Sequence, residues 1–203
     1  MIINGDNGNN VLLGTDDDDT LNGKGGNDRL IGNKGDDKNN GGTGHDTIVW
    51  NNGDGSDTNN GGSGNDTQVV NGSKDQGDEF VVKAGGNDFL FDRVNLGKFT
   101  LNDQNIEKLE VNGGGGDDKL TVGNLAGSDL HKIIFKGGDG NDWLDATKTH
   151  VDIESYGGKG DDKLYGGAGH DELTGGAGHD TFYIDHSDTI TDFQMGIDEF
   201  FFV

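Results

Sequence analysis

One apolar residue two positions after an Asp is the most regular feature of the chain: Leu21, Leu30, Ile48, Leu120, Leu144, Leu164, Leu173 and Phe182 follow Asp19, Asp28, Asp46, Asp118, Asp142, Asp162, Asp171 and Asp180. Polar residues flank most of them, which predicts short strands with one inward side chain rather than helices. Gly stands five and two residues before the Asp in most copies, as in GGTGHDTIV from Gly41, GGKGDDKLY from Gly157, GGAGHDELT from Gly166 and GGAGHDTFY from Gly175. Each unit therefore reads as a Gly-rich turn ending in Asp, then a three-residue strand. Asp19, Asp28, Asp37 and Asp46 are nine residues apart, as are Asp57 and Asp66, and again Asp162, Asp171 and Asp180. Nine residues cannot close a coil. Two units supply two strands and two turns, so each residue is expected beneath the one eighteen further on.

The middle departs from this. From Asn71 to Val111 the nonapeptides blur, and apolar residues alternate: Phe89 with Phe91, Val94 with Leu96, Phe99 with Leu101, then Ile106, Leu109 and Val111. Period two predicts strands. Three longer units follow, EKLEVNGGGGDDKL, HKIIFKGGDGNDWL and VDIESYGGKGDDKL, whose Asp118, Asp142 and Asp162 are 24 and 20 residues apart. They predict wider coils with one Asp turn each. The expected organisation is a first roll over 1–70, wider irregular coils over 71–156 and a second roll with a closing segment over 157–203. No Pro-rich or charge-run linker interrupts them, so one continuous solenoid is expected. Asn39, Asn59 and Gln68 stand at inward positions. Two readings are open there: a buried amide ladder or a locally open, poorly packed coil.

Composition sharpens this picture. The chain has 203 residues, 40 of them Gly, with no Pro or Cys, 29% hydrophobic residues and a net charge of -23. So little apolar material cannot build a thick core, and something besides burial must stabilise the fold. Without Cys there is no disulfide or thiolate metal site. The negative field disfavours nucleic acid and anionic membranes and favours cations. No window approaches the roughly 20 apolar residues of a membrane span, and the start, MIINGDNGNN, lacks a basic segment followed by an apolar one.

The tandem nonapeptides from Gly14 to Val49 and from Gly157 to Tyr183 resemble the RTX family, whose repeat Gly-Gly-x-Gly-x-Asp-x-apolar-x builds a calcium-loaded parallel β-roll. The resemblance implies an all-β fold, a calcium-loaded parallel β-roll or β-helix solenoid with a C-terminal capping segment. Stacked strands lie about 4.8 Å apart and calcium takes oxygen ligands at about 2.4 Å, so an ion fits between the oxygens of successive coils. Magnesium, which holds octahedral geometry and its water, fits less well. The expected ligands are Asp19, Asp28, Asp37, Asp46, Asp57, Asp66, Asp118, Asp142, Asp162, Asp171 and Asp180, with the neutral Asn10 and the poorly framed Asp88 as weaker sites. Asp78, also poorly framed, is left out. Without metal the stacked carboxylates repel one another, and the chain is expected to be unfolded.

The C-terminal DTITDFQMGIDEFFFV resembles the segment closing RTX rolls, and its Glu199 to Val203 resembles the acidic-plus-apolar signal of type I secretion substrates; a simple last strand is the alternative. The resemblance implies a secreted, extracellular or cell-surface protein whose partners are calcium ions and the type I secretion machinery. Head-to-tail self-association, or a cell-surface or polysaccharide partner, is a further expectation, suggested by an uncapped first coil. No catalytic residues are expected. His45, His170 and His179 precede ligand Asp residues, no His-Glu-x-x-His or Gly-x-Ser-x-Gly string occurs, and Trp50 and Trp143 read as packing residues. The expected role is a structural, adhesive or matrix element. The alternative is a non-catalytic module of a larger exported enzyme, such as a protease, lipase or alginate epimerase. Ice binding is disfavoured because the third turn position varies too widely for a flat array.

Overall fold

The computed structural model describes residues 1–86 and 88–203, which contain strands and turns and no helix. The first coils are built from β1 (Ile2–Asn4), β2 (Val11–Leu13), β3 (Thr20–Gly25), β4 (Arg29–Ile31), β5 (Lys38–Gly44), β6 (Thr47–Asn51), β7 (Thr58–Gly64) and β8 (Thr67–Asn71). The middle holds β9 (Glu79–Gly85), β10 (Asp88–Arg93), β11 (Phe99–Gln104), β12 (Lys108–Gly115), β13 (Lys119–Val122), β14 (Lys132–Asp139) and β15 (Trp143–Asp145). Last come β16 (Asp152–Lys159), β17 (Lys163–Tyr165), β18 (Glu172–Ala177), β19 (Thr181–Ile184), β20 (Thr189–Ile190) and β21 (Glu199–Phe202).

The chain winds between two facing sheets. One has twelve strands in the order β1-β3-β5-β7-β11-β10-β9-β13-β15-β17-β19-β21, the other nine in the order β2-β4-β6-β8-β12-β14-β16-β18-β20. Apart from β10, pairing is parallel and every residue sits over its counterpart one coil away: Ile3 over Leu21, Leu12 over Leu30, and Leu120, Leu144, Leu164 and Phe182 in one column. Each short strand sends one such residue inward, and together these form a narrow core of Leu, Ile, Val and Phe. Closing two thin sheets on each other leaves few edges, which is how a chain this poor in apolar residues encloses a core at all.

The middle holds an arrangement that the parallel reading did not anticipate. Strands β9, β10 and β11 form an antiparallel meander, Phe91 pairing with Val82 on one side and Leu101 on the other. Only Gly86 and Asn87 separate β9 from β10, too few for the crossover that parallel strands need. As a result three strands lie between β7 and β13 in one sheet, against β12 alone between β8 and β14 in the other. Aromatic rings fill the added width. Trp50 stacks on Phe99 at 3.8 Å between centroids, and Phe91 lies 5.1 Å from Phe80 and 6.0 Å from Phe99.

Beside this block the core is polar. Asn39 Nδ2 donates to Asn59 Oδ1 at 3.0 Å, and Asn59 Nδ2 donates to Gln68 Oε1 at 3.0 Å and Asp103 Oδ1 at 2.9 Å, all four side chains being fully enclosed. Of the two readings of these inward amides, the structure has the ladder. Asp103 extends it, but its Oδ2 is buried without a partner, and burial raises its pKa to about 7. An amide would continue the ladder without the charge, so Asp103→Asn is expected to stabilise the folded protein by about 1–3 kcal/mol at pH 8 and by less at pH 5. Denaturant melts at the two pH values check this; a destabilised variant at pH 8 would refute it.

Candidate metal centre

The turns joining the sheets stack into two rows. In the first row the chain passes from the twelve-stranded sheet to the nine-stranded one, and in the second it returns. Glycine is needed here for two reasons. Gly138 and Gly140, at φ of 114° and 145°, occupy backbone space closed to most side chains. Gly137, inside β14, has no such φ, yet a Cβ there would collide with Asp142 Oδ2 and approach the carbonyl oxygen of Gly157. The same pair of oxygens, the Asp five residues on and the first glycine of the next coil, crowds Gly23, Gly41, Gly113 and Gly157.

Except at Asp19 and Asp78, whose Oδ1 atoms face the Met1 ammonium and Arg93, each row Asp spends one carboxylate oxygen on the stack. In the second row the N–H of Asp19 donates to Asp37 Oδ1 at 2.7 Å and that of Asp37 to Asp57 at 3.0 Å; after a break, the links run from Asp78 to Asp118 at 2.6 Å, then to Asp142 and Asp162 at 2.7 Å each, to Asp180 at 3.0 Å and to Asp198 at 3.1 Å. The first row repeats this from Asn10 to Asp28, Asp46 and Asp66 at 2.7 Å each, on to Glu107 Oε2 at 2.6 Å, and near the other end from Asp171 to Asp188 at 3.2 Å. The second oxygen is left over. Oδ2 of Asp28, Asp37, Asp46, Asp66, Asp118, Asp142, Asp162, Asp171 and Asp180 is buried without a hydrogen-bond partner. A buried carboxylate oxygen with no donor is costly, and here the same defect recurs coil after coil.

These residues fit calcium. The unpartnered carboxylate oxygens lie beside backbone carbonyls at the glycine positions, an all-oxygen donor set of the hard kind that calcium takes. Among the described residues no three His, Cys, Asp or Glu side chains converge on one point. Carbonyls of the Gly-rich turns would therefore supply much of each site.

All the expected Asp residues except Asp88 fall into the rows. Asn10 heads the first row, its Oδ1 accepting from the N–H of Asp6. Asp88 opens β10 instead and accepts the N–H of Asp129, in the following coil, at 3.0 Å, so it breaks the pattern of the rows although its Oδ2 is also buried and unpartnered. Four members were missed by the nonapeptide register. Asp78 follows Gly72 by six residues rather than five, and Glu107 lies 41 residues beyond Asp66 because the meander intervenes. Asp188 has a shortened turn before it, while Asp198 keeps the 18-residue step from Asp180, a signal that could have found it. The wide coils lose the first-row Asp: residues 123–131 and 146–151 fill that side with buried Leu125, Leu130, Ala146 and Val151.

Burial raises the carboxyl pKa to about 8 at Asp57, about 7 at Asp118, Asp162 and Asp171, and about 6 at Asp66 and Asp142, with neighbouring carboxylates adding to the effect. A family model for the RTX calcium-binding nonapeptide repeat, in four copies, matches residues 2–28, 13–48, 134–148 and 155–183. No curated protein sequence matches the chain.

The raised values fix the sign of the pH dependence without metal. Protons bind the folded form more tightly, so their stabilisation is fully present below about pH 4 and is lost as pH rises through about 6 to 8. In excess chelator the β-sheet circular dichroism signal is therefore expected to be stronger at pH 5 than at pH 8. A signal that instead grew toward pH 8 would show that these carboxylates are not buried in the metal-free chain.

Proposed function

We propose that this chain, which carries RTX calcium-binding nonapeptide repeats and folds as a parallel β-roll, is exported unfolded, folds outside the cell as calcium fills its two rows, and then serves as a structural, adhesive or matrix element. The observation that carries the reading is the series of buried, unpartnered Asp Oδ2 atoms that recurs in nine of the turns. Neighbouring carboxylates one strand spacing apart repel by about 1 kcal/mol per pair in water and by about 3 to 4 kcal/mol at an intermediate dielectric. Summed along the rows, this matches the whole stability of an ordinary domain, about 5–15 kcal/mol. Calcium supplies the opposing positive charge when bound. The protein's own part is to hold one carboxylate oxygen in the N–H chain, so that the other stays fixed toward the turn carbonyls, and to exclude water around both.

Extracellular calcium modules work at about 0.1–1 mM, well above cytosolic levels, which ties folding to export. The net charge of -23 and the absence of Pro and Cys suit a chain kept extended until then. A role without catalysis is supported by the histidines, since His45 Nδ1 accepts the N–H of Asn65 at 2.9 Å within the turn stack. His170 and His179 are set in the turns by their backbone N–H groups, which donate to Asp152 and Asp161.

Calcium titration followed by circular dichroism tests the reading. Most of the ordered β-structure is expected to appear cooperatively as calcium rises and to be lost with EGTA, and a spectrum indifferent to both would refute it. Gly137→Ala, which places a methyl against Asp142 Oδ2, is expected to raise the calcium midpoint by roughly three- to tenfold, about 0.7–1.4 kcal/mol. Gly8→Ala, whose methyl would meet only Asp6 Oδ1 at 3.3 Å, should leave it nearly unchanged.

A further inference from the structure

The second row is continuous on both sides of one gap. Asp57 and Asp78 would be neighbours in a uniform roll, but β11 and β10 come between their strands. The Oδ1 of Asp78, which elsewhere in the row takes an N–H from the coil before, faces Arg93 Nη1 at 3.3 Å instead. The guanidinium is only 6% exposed. Its Nη1 donates to Asn52 Oδ1 at 2.7 Å and its Nε to the carbonyl of Leu96, and it lies 5.6 Å from the ring centre of Trp50 and 5.7 Å from that of Phe99. Where the row is interrupted, the chain thus provides a cation of its own.

The surrounding block also differs in how it is held. Phe80, Val82, Phe89, Phe91, Phe99 and Leu101 are at most 5% exposed and come from three strands, whereas a strand such as β3 or β4 sends in a single Leu. The meander closes through short connections, so its contacts cost little loop entropy, and the two carboxylates whose second oxygen it buries without a partner, Asp88 and Asp103, lie outside the rows. Its outer strands each present a pairing edge to a roll strand in parallel register, β11 to β7 and β9 to β13.

We infer that β9 to β12 form a calcium-independent seed inside the solenoid, held by the Arg93–Asp78 pair, from which the calcium-dependent coils are laid down in both directions. This rests on the calcium reading of the rows and changes what the metal-free chain should look like: a folded centre with two open arms. Arg93 acts here through Asp78, since losing the guanidinium leaves a buried carboxylate unpaired, whereas losing both charges does not.

Hydrogen exchange of the full chain, read by mass spectrometry in EGTA and in calcium, tests it. In EGTA, amides of residues 80–111 are expected to exchange at least roughly 100-fold more slowly than those of 14–66 and 137–183, which should exchange as an open chain; calcium should protect all three. Arg93→Met should abolish the central protection in EGTA, and the double variant Arg93→Met with Asp78→Asn should restore most of it. The double variant is also the check should Arg93→Met fail to fold in calcium, because recovery is then expected and its absence overturns the inference. Uniformly fast exchange in EGTA, or central protection unchanged by Arg93→Met, overturns the seed while leaving the calcium reading standing. Uniformly slow exchange in EGTA overturns the calcium reading and the seed with it.

Discussion

The structure depends on a buried carboxylate that is only half satisfied. Along most of each row one oxygen of the Asp accepts the N–H of its counterpart one coil away, which fixes the side chain as firmly as the backbone around it. In nine of them, from Asp28 to Asp180, the other oxygen has no protein donor. Such a group is expensive to enclose, and here it recurs at every coil of a chain too poor in apolar residues to offset it by burial. The fold is therefore conditional on positive charge reaching the rows, and the glycines follow from the same constraint: a side chain at the turn entry would occupy the space where the carboxylate and the carbonyl approach.

The protein meets this demand in different ways along its length. In the narrow coils both rows carry acid groups and the three-residue strands β2, β4 and β17 give one inward residue each. In the wide coils one row is kept and the other side is closed by apolar loops, with Leu125, Leu130, Ala146 and Val151 buried in place of a carboxylate. At the meander a guanidinium provides the charge and aromatic rings provide the core. The amide ladder lies between these regimes. Asn39 and Asn59 replace inward Leu, and their mutual hydrogen bond satisfies part of the polarity they bring into the core.

Much of the metal centre was legible because it is written in a fixed period. Gly at the turn entry, Asp five residues later and an apolar residue two beyond it form a pattern that the eighteen-residue coil turns directly into stacked rows. Asp78 and Glu107 were hidden for a physical reason. Hydrogen bonds along the rows connect residues 40 and 41 apart at those points, and no local spacing shows which partner an interrupted coil will find. Asp88 illustrates the converse: its Gly-Gly-Asn-Asp setting imitates a turn, yet the strand it opens runs antiparallel.

By itself, then, the sequence determined the parallel coil, its repeat, the inward column of apolar residues and the oxygen character of the turns, because each follows from residues close together in the chain. Tertiary structure alone decided that the middle folds back on itself, that Arg93 reaches Asp78, and that Asp103 joins the ladder of Asn39 and Asn59. Those contacts depend on which strands become neighbours across a sheet, and alternation of polar and apolar residues fixes a strand's faces without fixing its direction or its partner.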